Sequence, residues 1–402
     1  MSAAASARRA VVLEDEHDRY HRQSLISWWD QERLRDARVL VVGAGALGNE
    51  LVKNLVLVGV GHVLVCDLDA IEHSNLSRCV FFRPGDEGRA KAEVLVERAA
   101  ALNPDVTLTA LVGDVRARGG LALFAAVDVV LGGLDSREVR LFVNQCCWKT
   151  STPFVDGAIE GLMGSARVFV PPDGACYECT MSERDHELVA ARRTCALLSR
   201  EDLLEGKVPT TATTASIVAG VQVQEAVKLL HVERLGPSAL AGAAFQFVGL
   251  THDSYVVRYP RRDDCLSHDT YALADARPVA PETPLRELLA DAQAQLGADA
   301  LLELEHELVL GGSCAACGVQ APIMRPAFAL TAGAGRCPDC GEPWRLAYAH
   351  TIDDGSPLLD YTVRELGLPD ADAIVARTAH TRRFYVIGEG DPLARLEGAA
   401  DG

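Results

Sequence analysis

Three glycines, Gly43, Gly45 and Gly48, stand in a Gly-x-Gly-x-x-Gly spacing, and Asp67 follows at the distance at which a carboxylate meets a ribose. Such a turn lets backbone N–H groups approach a phosphate, and the acidic side chain accepts from ribose hydroxyls. The pattern alone does not choose between a dinucleotide and ATP. Asp69, Asn75, Arg78 and Lys91 come next, placing two cations and an amide close behind the ribose site. Hydride transfer has no use for that much phosphate-directed charge. Cleavage of ATP between its α- and β-phosphates does, because negative charge must be stabilised on both fragments as a carboxylate attacks. Lys91 is one of only five lysines in a chain that otherwise uses arginine; the plain alternative for it is a solvated helix residue.

The 12 cysteines carry a second kind of chemistry. Six of them form Cys-x-x-Cys pairs, a metal-site spacing and not a disulfide framework, which implies a reducing cytoplasm. Cys314-x-x-Cys317 and Cys337-x-x-Cys340 match a zinc ribbon. Cys176-x-x-Cys179 finds its partner at matching spacing in Cys265-x-x-His268, and two such knuckles supply four ligands for a closed tetrahedral zinc. Neither set leaves a position for a reactive water, so both read as structural. Cys195 stands apart, preceded by Arg192 and Arg193, and adjacent cations favour the thiolate that a nucleophile needs. Cys66, Cys79, Cys146 and Cys147 read as buried structural thiols.

These residues must be held by a scaffold, and the chain shows one. Residues 38–67 read as apolar strand, glycine turn, helix and apolar strand, a βαβ unit. A helical pattern over 86–103 and strands near 106–110 and 126–132 continue the alternation, which predicts an α/β fold with a mostly parallel, Rossmann-like sheet. Residues 211–231 predict one long amphipathic helix with a Thr-rich start. A Pro-rich linker follows residue 268, then a helix over 284–296, the cysteine module at 314–341 and a tail predicted to add a helix and strands. Residues 1–17 read as a mobile leader. The formal net charge of −17 argues against nucleic acid and anionic membranes as partners, and no apolar run approaches a membrane span.

Taken together, GAGALG, the DLD of 67–69, the NLSR of 75–78, Lys91, LDSREVR at 134–140 and RYHRQ at 19–23 resemble the ubiquitin-activating E1 superfamily, with its bacterial molybdopterin- and thiamine-pathway adenylyltransferases. The resemblance implies an E1-like adenylation domain over 18–268, with a catalytic-cysteine segment near 180–212. A smaller C-terminal domain at 269–402 would contain the zinc ribbon. It also implies roles: Asp67 for ribose, Asn75, Arg78 and Lys91 for the triphosphate, and Asp135 for Mg²⁺. Arg22 would be an arginine finger supplied across a homodimer. Cys195 would take the adenylated C-terminus of a ubiquitin-like protein as a thioester and pass it to an E2-like conjugating enzyme. In sulfur-carrier adenylyltransferases the same position can be a cysteine without thioester chemistry, with a sulfur donor as the later partner. In either case the substrate is a small protein ending in Gly. His268 departs from the family's usual second Cys-x-x-Cys, though histidine is a competent zinc ligand.

Two rival readings stay open at this point. An NAD(P)-dependent oxidoreductase would share the glycines and Asp67 but leaves Arg78, Lys91 and Asp135 unexplained. A silent zinc-binding scaffold would keep the fold and bind no ATP, or bind it without reaction. Asp135 has its own alternative as a helix N-cap, since it precedes Ser136-Arg-Glu-Val, and Arg22 has one as a surface arginine. The Arg-rich, Lys-poor composition is compatible with a bacterial source.

Overall fold

The computed structural model describes residues 18–194, 209–330, 335–388 and 390. Its larger sheet is built from β1 (Arg38–Val42), β2 (His62–Asp67), β3 (Thr107–Val112), β4 (Val129–Gly132), β5 (Phe154–Glu160), β6 (Met163–Phe169), β7 (Ala243–Val248) and β8 (Asp253–Arg258). The order is β3-β2-β1-β4-β5-β6-β7-β8. Pairing is parallel from β3 through β5 and antiparallel from there to β8. Residues 153–170, which alternate in sequence, form the β5–β6 hairpin.

The central strands are apolar along their whole length because both faces are covered. Val39 and Val41 pack into a core with Leu51, Leu55, Val218 and Ala219 of helices Ala46–Val58 and Ala212–Leu230. Leu40 and Val42 point the other way, into a core with Phe124, Leu141 and Val143, as the two-residue period of a strand requires. The strand order reverses between β1 and β4. Loops leaving the carboxyl ends of those two strands therefore part in opposite directions, and the crevice between them is where sheets of this class bind ligands.

A second sheet follows, from β9 (Arg277–Val279), β10 (Leu301–Cys314), β11 (Gln320–Pro326), β12 (Trp344–Ile352), β13 (Ala373–Arg377) and β14 (Arg382–Ile387). Its order is β11-β10-β13-β14-β9, with β12 also paired to β10. Helix Leu285–Leu296 buries Leu285, Leu288, Leu289 and Ala292 against it, the spacing of one helical face. Among the described residues the helix expected in the tail does not form. Residues 363–367 are turns, with Gly367 at φ +68° and Pro369 just beyond, too little chain between breakers to nucleate a helix.

The helix Leu121–Ala125 packs closely on the segment that leads into β13. A Cβ on Gly120 would lie 2.2 Å from the Asp372 backbone nitrogen, so two backbones touch there. Ala122 N–H donates to the Ala371 carbonyl at 2.8 Å and Leu121 N–H to Asp372 Oδ1 at 3.2 Å. Among the described residues no helix is long and apolar enough to cross a membrane.

Candidate functional site

The glycine turn leaves β1 and enters helix Ala46–Val58, whose N-cap is Gly45. Gly43 has φ +100°, and a Cβ there would lie 2.6 Å from the Gly133 carbonyl oxygen. A Cβ on Gly48 would lie 1.9 Å from the Gly43 carbonyl oxygen. The first and third glycines therefore serve packing, against the β4 loop and within the turn. Gly45 differs, because a Cβ there meets nothing within 4 Å. The open space faces the helix N-terminus, where free N–H groups favour an anion.

Asp67 ends β2 beside this turn. Its Oδ2 accepts from Ala44 N–H at 2.6 Å and its Oδ1 from Asp69 N–H at 2.7 Å. Burial pushes its carboxyl above the usual carboxylate range, against those two N–H groups and Lys91. A carboxylate has further lone pairs, so a ribose hydroxyl can still be accepted. Lys91 begins helix Lys91–Ala100 and places Nζ 2.8 Å from Asp69 Oδ2. Asp69 thus holds the cation, a task its sequence position did not disclose. Asn75 is buried in the turn His73–Ser77, its Oδ1 accepting from Glu72 N–H at 2.9 Å, which leaves the amide NH₂ for a ligand. Arg78 is half-buried and donates from Nη1 to the Ser74 carbonyl at 2.6 Å.

Asp135 lies on the loop after β4 and is exposed. The N-cap of helix Arg137–Lys149 is Ser136, which accepts from Val139 N–H at 3.4 Å. Asp135 is thus free of the capping task and makes no ion pair among the described residues. An exposed hard carboxylate at the mouth of the crevice between β1 and β4 is the kind of donor Mg²⁺ takes, so the residue fits the ion.

Two residues that sequence reasoning passed over hold these parts together. Asn49, fully buried, donates from Nδ2 to the carbonyls of Ala44 at 2.8 Å and Gly45 at 3.0 Å, and its Oδ1 accepts from Phe81 N–H. It ties the glycine turn to the segment carrying Arg78. Arg140, inside the quoted LDSREVR motif, is buried and bonded to Asp156 and to the loop of Asp135. Only their closeness to the motifs could have flagged them.

Arg22 is exposed on the short helix His21–Ser24, apart from the crevice residues in hydrogen bonding. Cys195 lies outside the described residues; helix Glu183–Thr194 leads up to it. Cys66, Cys79, Cys146 and Cys147 are all buried, and burial raises their thiol pKa values, that of Cys79 to about 11. Burial thus disfavours their thiolate forms.

Both expected metal sets converge. Cys176, Cys179, Cys265 and His268 bring their ligand atoms within 4.8 Å of one another, as do Cys314, Cys317, Cys337 and Cys340. The sulfur pairs stand 3.5 and 3.8 Å apart in the first set, and 3.4, 3.5 and 3.7 Å in the second. Tetrahedral zinc with bonds of about 2.3 Å needs sulfurs roughly 3.8 Å apart, so both cradles fit it. His268 stacks on Trp148 with ring centres 4.6 Å apart, which restrains its ring plane.

Residues 17–267 match the family described as the ThiF family. The chain is 33% identical to the SAMP-activating enzyme E1 of Haloferax volcanii, over 62% of this chain and 87% of that one. It is 38% identical to the sulfur carrier protein adenylyltransferase of Thermus thermophilus, over 41% of this chain and 64% of the relative. It is 31% identical to the ubiquitin-like modifier-activating enzyme 5 of rice, over 50% of this chain, and spans only 49% of that relative's length. Among solved structures, Escherichia coli MccB with ATP superposes with a TM-score of 0.53 at 20% identity, covering 63% of this chain and 75% of the other, a likeness of fold.

Proposed function

The chain belongs to the ThiF family, and from that premise we propose that it uses ATP to adenylate the C-terminal carboxylate of a small ubiquitin-like or sulfur-carrier protein. One observation carries this reading: the glycine turn, Asp67, the Lys91–Asp69 pair and the Asp135 loop all sit at the carboxyl ends of β1, β2 and β4. A carboxylate oxygen of the carrier's last glycine attacks the α-phosphorus, the bond from that phosphorus to the bridging oxygen breaks, and pyrophosphate leaves with the electron pair. Asp67 holds the ribose. Asn75, Arg78 and Lys91 contact the phosphates, where their charge counts most as the transition state spreads negative charge over both fragments. Asp135 would hold Mg²⁺, which neutralises phosphate charge when bound. Arg22 acts from the second copy of a homodimer, which its exposed position on the N-terminal turn permits.

In the next step the Cys195 thiolate attacks the acyl carbon and AMP leaves, giving a thioester for an E2-like partner. The likeness to a Haloferax volcanii protein named as an E1 motivates this course. The likeness to the Thermus sulfur carrier adenylyltransferase supports the second, in which an external sulfur donor attacks the same acyl-adenylate. Both share the first step, and both keep the two zinc sites structural.

Exchange of labelled pyrophosphate into ATP, driven by small ubiquitin-fold proteins ending in Gly-Gly, tests that step. Lys91→Ala and Asp135→Ala should each lower exchange by about 10²- to 10³-fold; exchange at the wild-type rate in both would remove the residue assignment. A reductant-sensitive carrier adduct that survives Cys195→Ala would remove the thioester.

A further inference from the structure

We propose that Arg140 is a positioning residue for adenylation, a buried clamp that fixes the loop presenting Asp135 by binding the Leu134 carbonyl. The inference rests on the reading of Asp135 given above. Arg140 lies near the start of helix Arg137–Lys149, where a cation opposes the helix dipole, and it is buried. Both placements cost stability unless the charge is matched. The match is Asp156 on β5, which is fully buried and accepts from Arg140 Nε at 3.0 Å. Arg140 Nη2 donates to the carbonyls of Leu134 and, at 3.0 Å, of Gly157. One guanidinium therefore joins the β4 loop to β5.

The loop is held at every residue before Asp135. Gly132 carbonyl oxygen accepts from Gln222 Nε2 at 2.9 Å, Gly133 N–H donates to the Val42 carbonyl at 2.9 Å, and Leu134 is held by Arg140. Gly133 also abuts the glycine turn. Asp135 thus leaves a backbone held against β1, β5 and helix Ala212–Leu230, so the position from which its carboxylate projects is set by the fold. Removing the Arg140 guanidinium takes the donor from the Leu134 carbonyl, one residue from that carboxylate.

The structure supplies its own control. Arg167 on β6 also pairs with Asp156, and its guanidinium lies 5.1 Å from the Tyr177 ring centre, but it makes no bond to the loop. Arg140→Met and Arg167→Met each take one cation from the same buried carboxylate. If the triad only stabilises the fold, the two variants behave alike. If Arg140 also aims Asp135, only its loss alters the magnesium response.

The experiment is calorimetric titration of the full chain with ATP, in EDTA and at graded magnesium concentrations. Both variants should unfold at similarly lowered temperatures and bind ATP in EDTA within about twofold of wild type. Arg140→Met alone should raise the magnesium concentration that half-maximally tightens ATP binding by about tenfold, the size typical of a missing outer-sphere support. Should Arg140→Met fail to fold, Arg140→Lys, which keeps a cation beside Asp156 but loses the guanidinium fork, should show the same shift. Equal shifts in the Arg140 and Arg167 variants, or a shift in neither, would overturn the clamp. Wild type that binds no ATP would overturn the reading of the crevice, and the clamp with it.

Discussion

A Cβ on Gly48 would collide with the Gly43 carbonyl, whereas one on Gly45 would stand in open space. Two substitutions of the same size should therefore fail differently. Gly48→Ala is expected to lower stability by about 3 kcal/mol, the upper range for overpacking a tight site. Gly45→Ala should melt within a few degrees of wild type yet bind ATP more weakly, since its methyl enters the space a phosphate needs. Thermal unfolding paired with nucleotide calorimetry checks both, and equal loss of stability in the two would contradict the division of roles. Much of the residue-scale geometry was legible in the chain: the glycine turn with Asp67 beside it, Lys91 near them and the converging cysteine pairs lie at spacings that fix their placement. The bonds of Arg140 to Asp156, Asn49 to Phe81 and Gln222 to Gly132 were not. They span 16, 32 and 90 residues, and only the sheet order brings such partners together.

At the scale of elements, the reversal between β1 and β4 opens the crevice, and the cysteine knuckles anchor segments that are remote in sequence. The first set joins the Cys176–Cys179 loop to residues 265–268, and the second joins the end of β10 to the turn before β12. The protein purified without chelator should contain two zinc ions per chain. Cys265→Ser should retain one, as should Cys337→Ser, each with a lowered unfolding temperature. Elemental analysis giving two ions in either variant would contradict the assignment of that set. The apolar and periodic runs foretold β1 to β4 and the helices Ala46–Val58, Lys91–Ala100, Ala212–Leu230 and Leu285–Leu296, since burial on one or two faces writes itself into a period, but not β7, β8 or β10 to β12. The tail misled, because Val363 and Leu366 are buried from turns, and Leu368 from the chain just after them, in the core of the second sheet and not along a helix face.

The whole molecule is joined through a junction that no motif announced. Lys149, at the end of the helix that starts beside Asp135, pairs with Glu305 of β10. Nearby, His306 Nε2 stands 3.5 Å from Asp372 Oδ2, both buried. Burial raises the Asp372 carboxyl to about 6 and lowers the His306 imidazole to about 4. The raised acid contributes stability that is complete below its unfolded value near 4 and is lost as pH rises through about 6. The lowered base contributes stability present above about 6.5 and lost as pH falls toward 4. Between pH 4 and 6 the two oppose, so wild-type stability should change little on their account. Asp372→Asn keeps an acceptor for Leu121 N–H and leaves His306 unopposed. Its stability should fall by roughly 2 kcal/mol more than wild type between pH 7 and pH 4.5. Denaturant unfolding at the two pH values measures this, and parallel losses would contradict it.

The proposed chemistry depends on that assembled crevice taking ATP. The most direct measurement is a crystal structure of the full chain with magnesium and a non-hydrolysable ATP analogue. The ribose is predicted on Asp67, the phosphates over Gly45 within reach of Arg78 and Lys91, and the metal on Asp135. An analogue bound elsewhere, or a crevice that admits a nicotinamide dinucleotide in its place, would contradict the account.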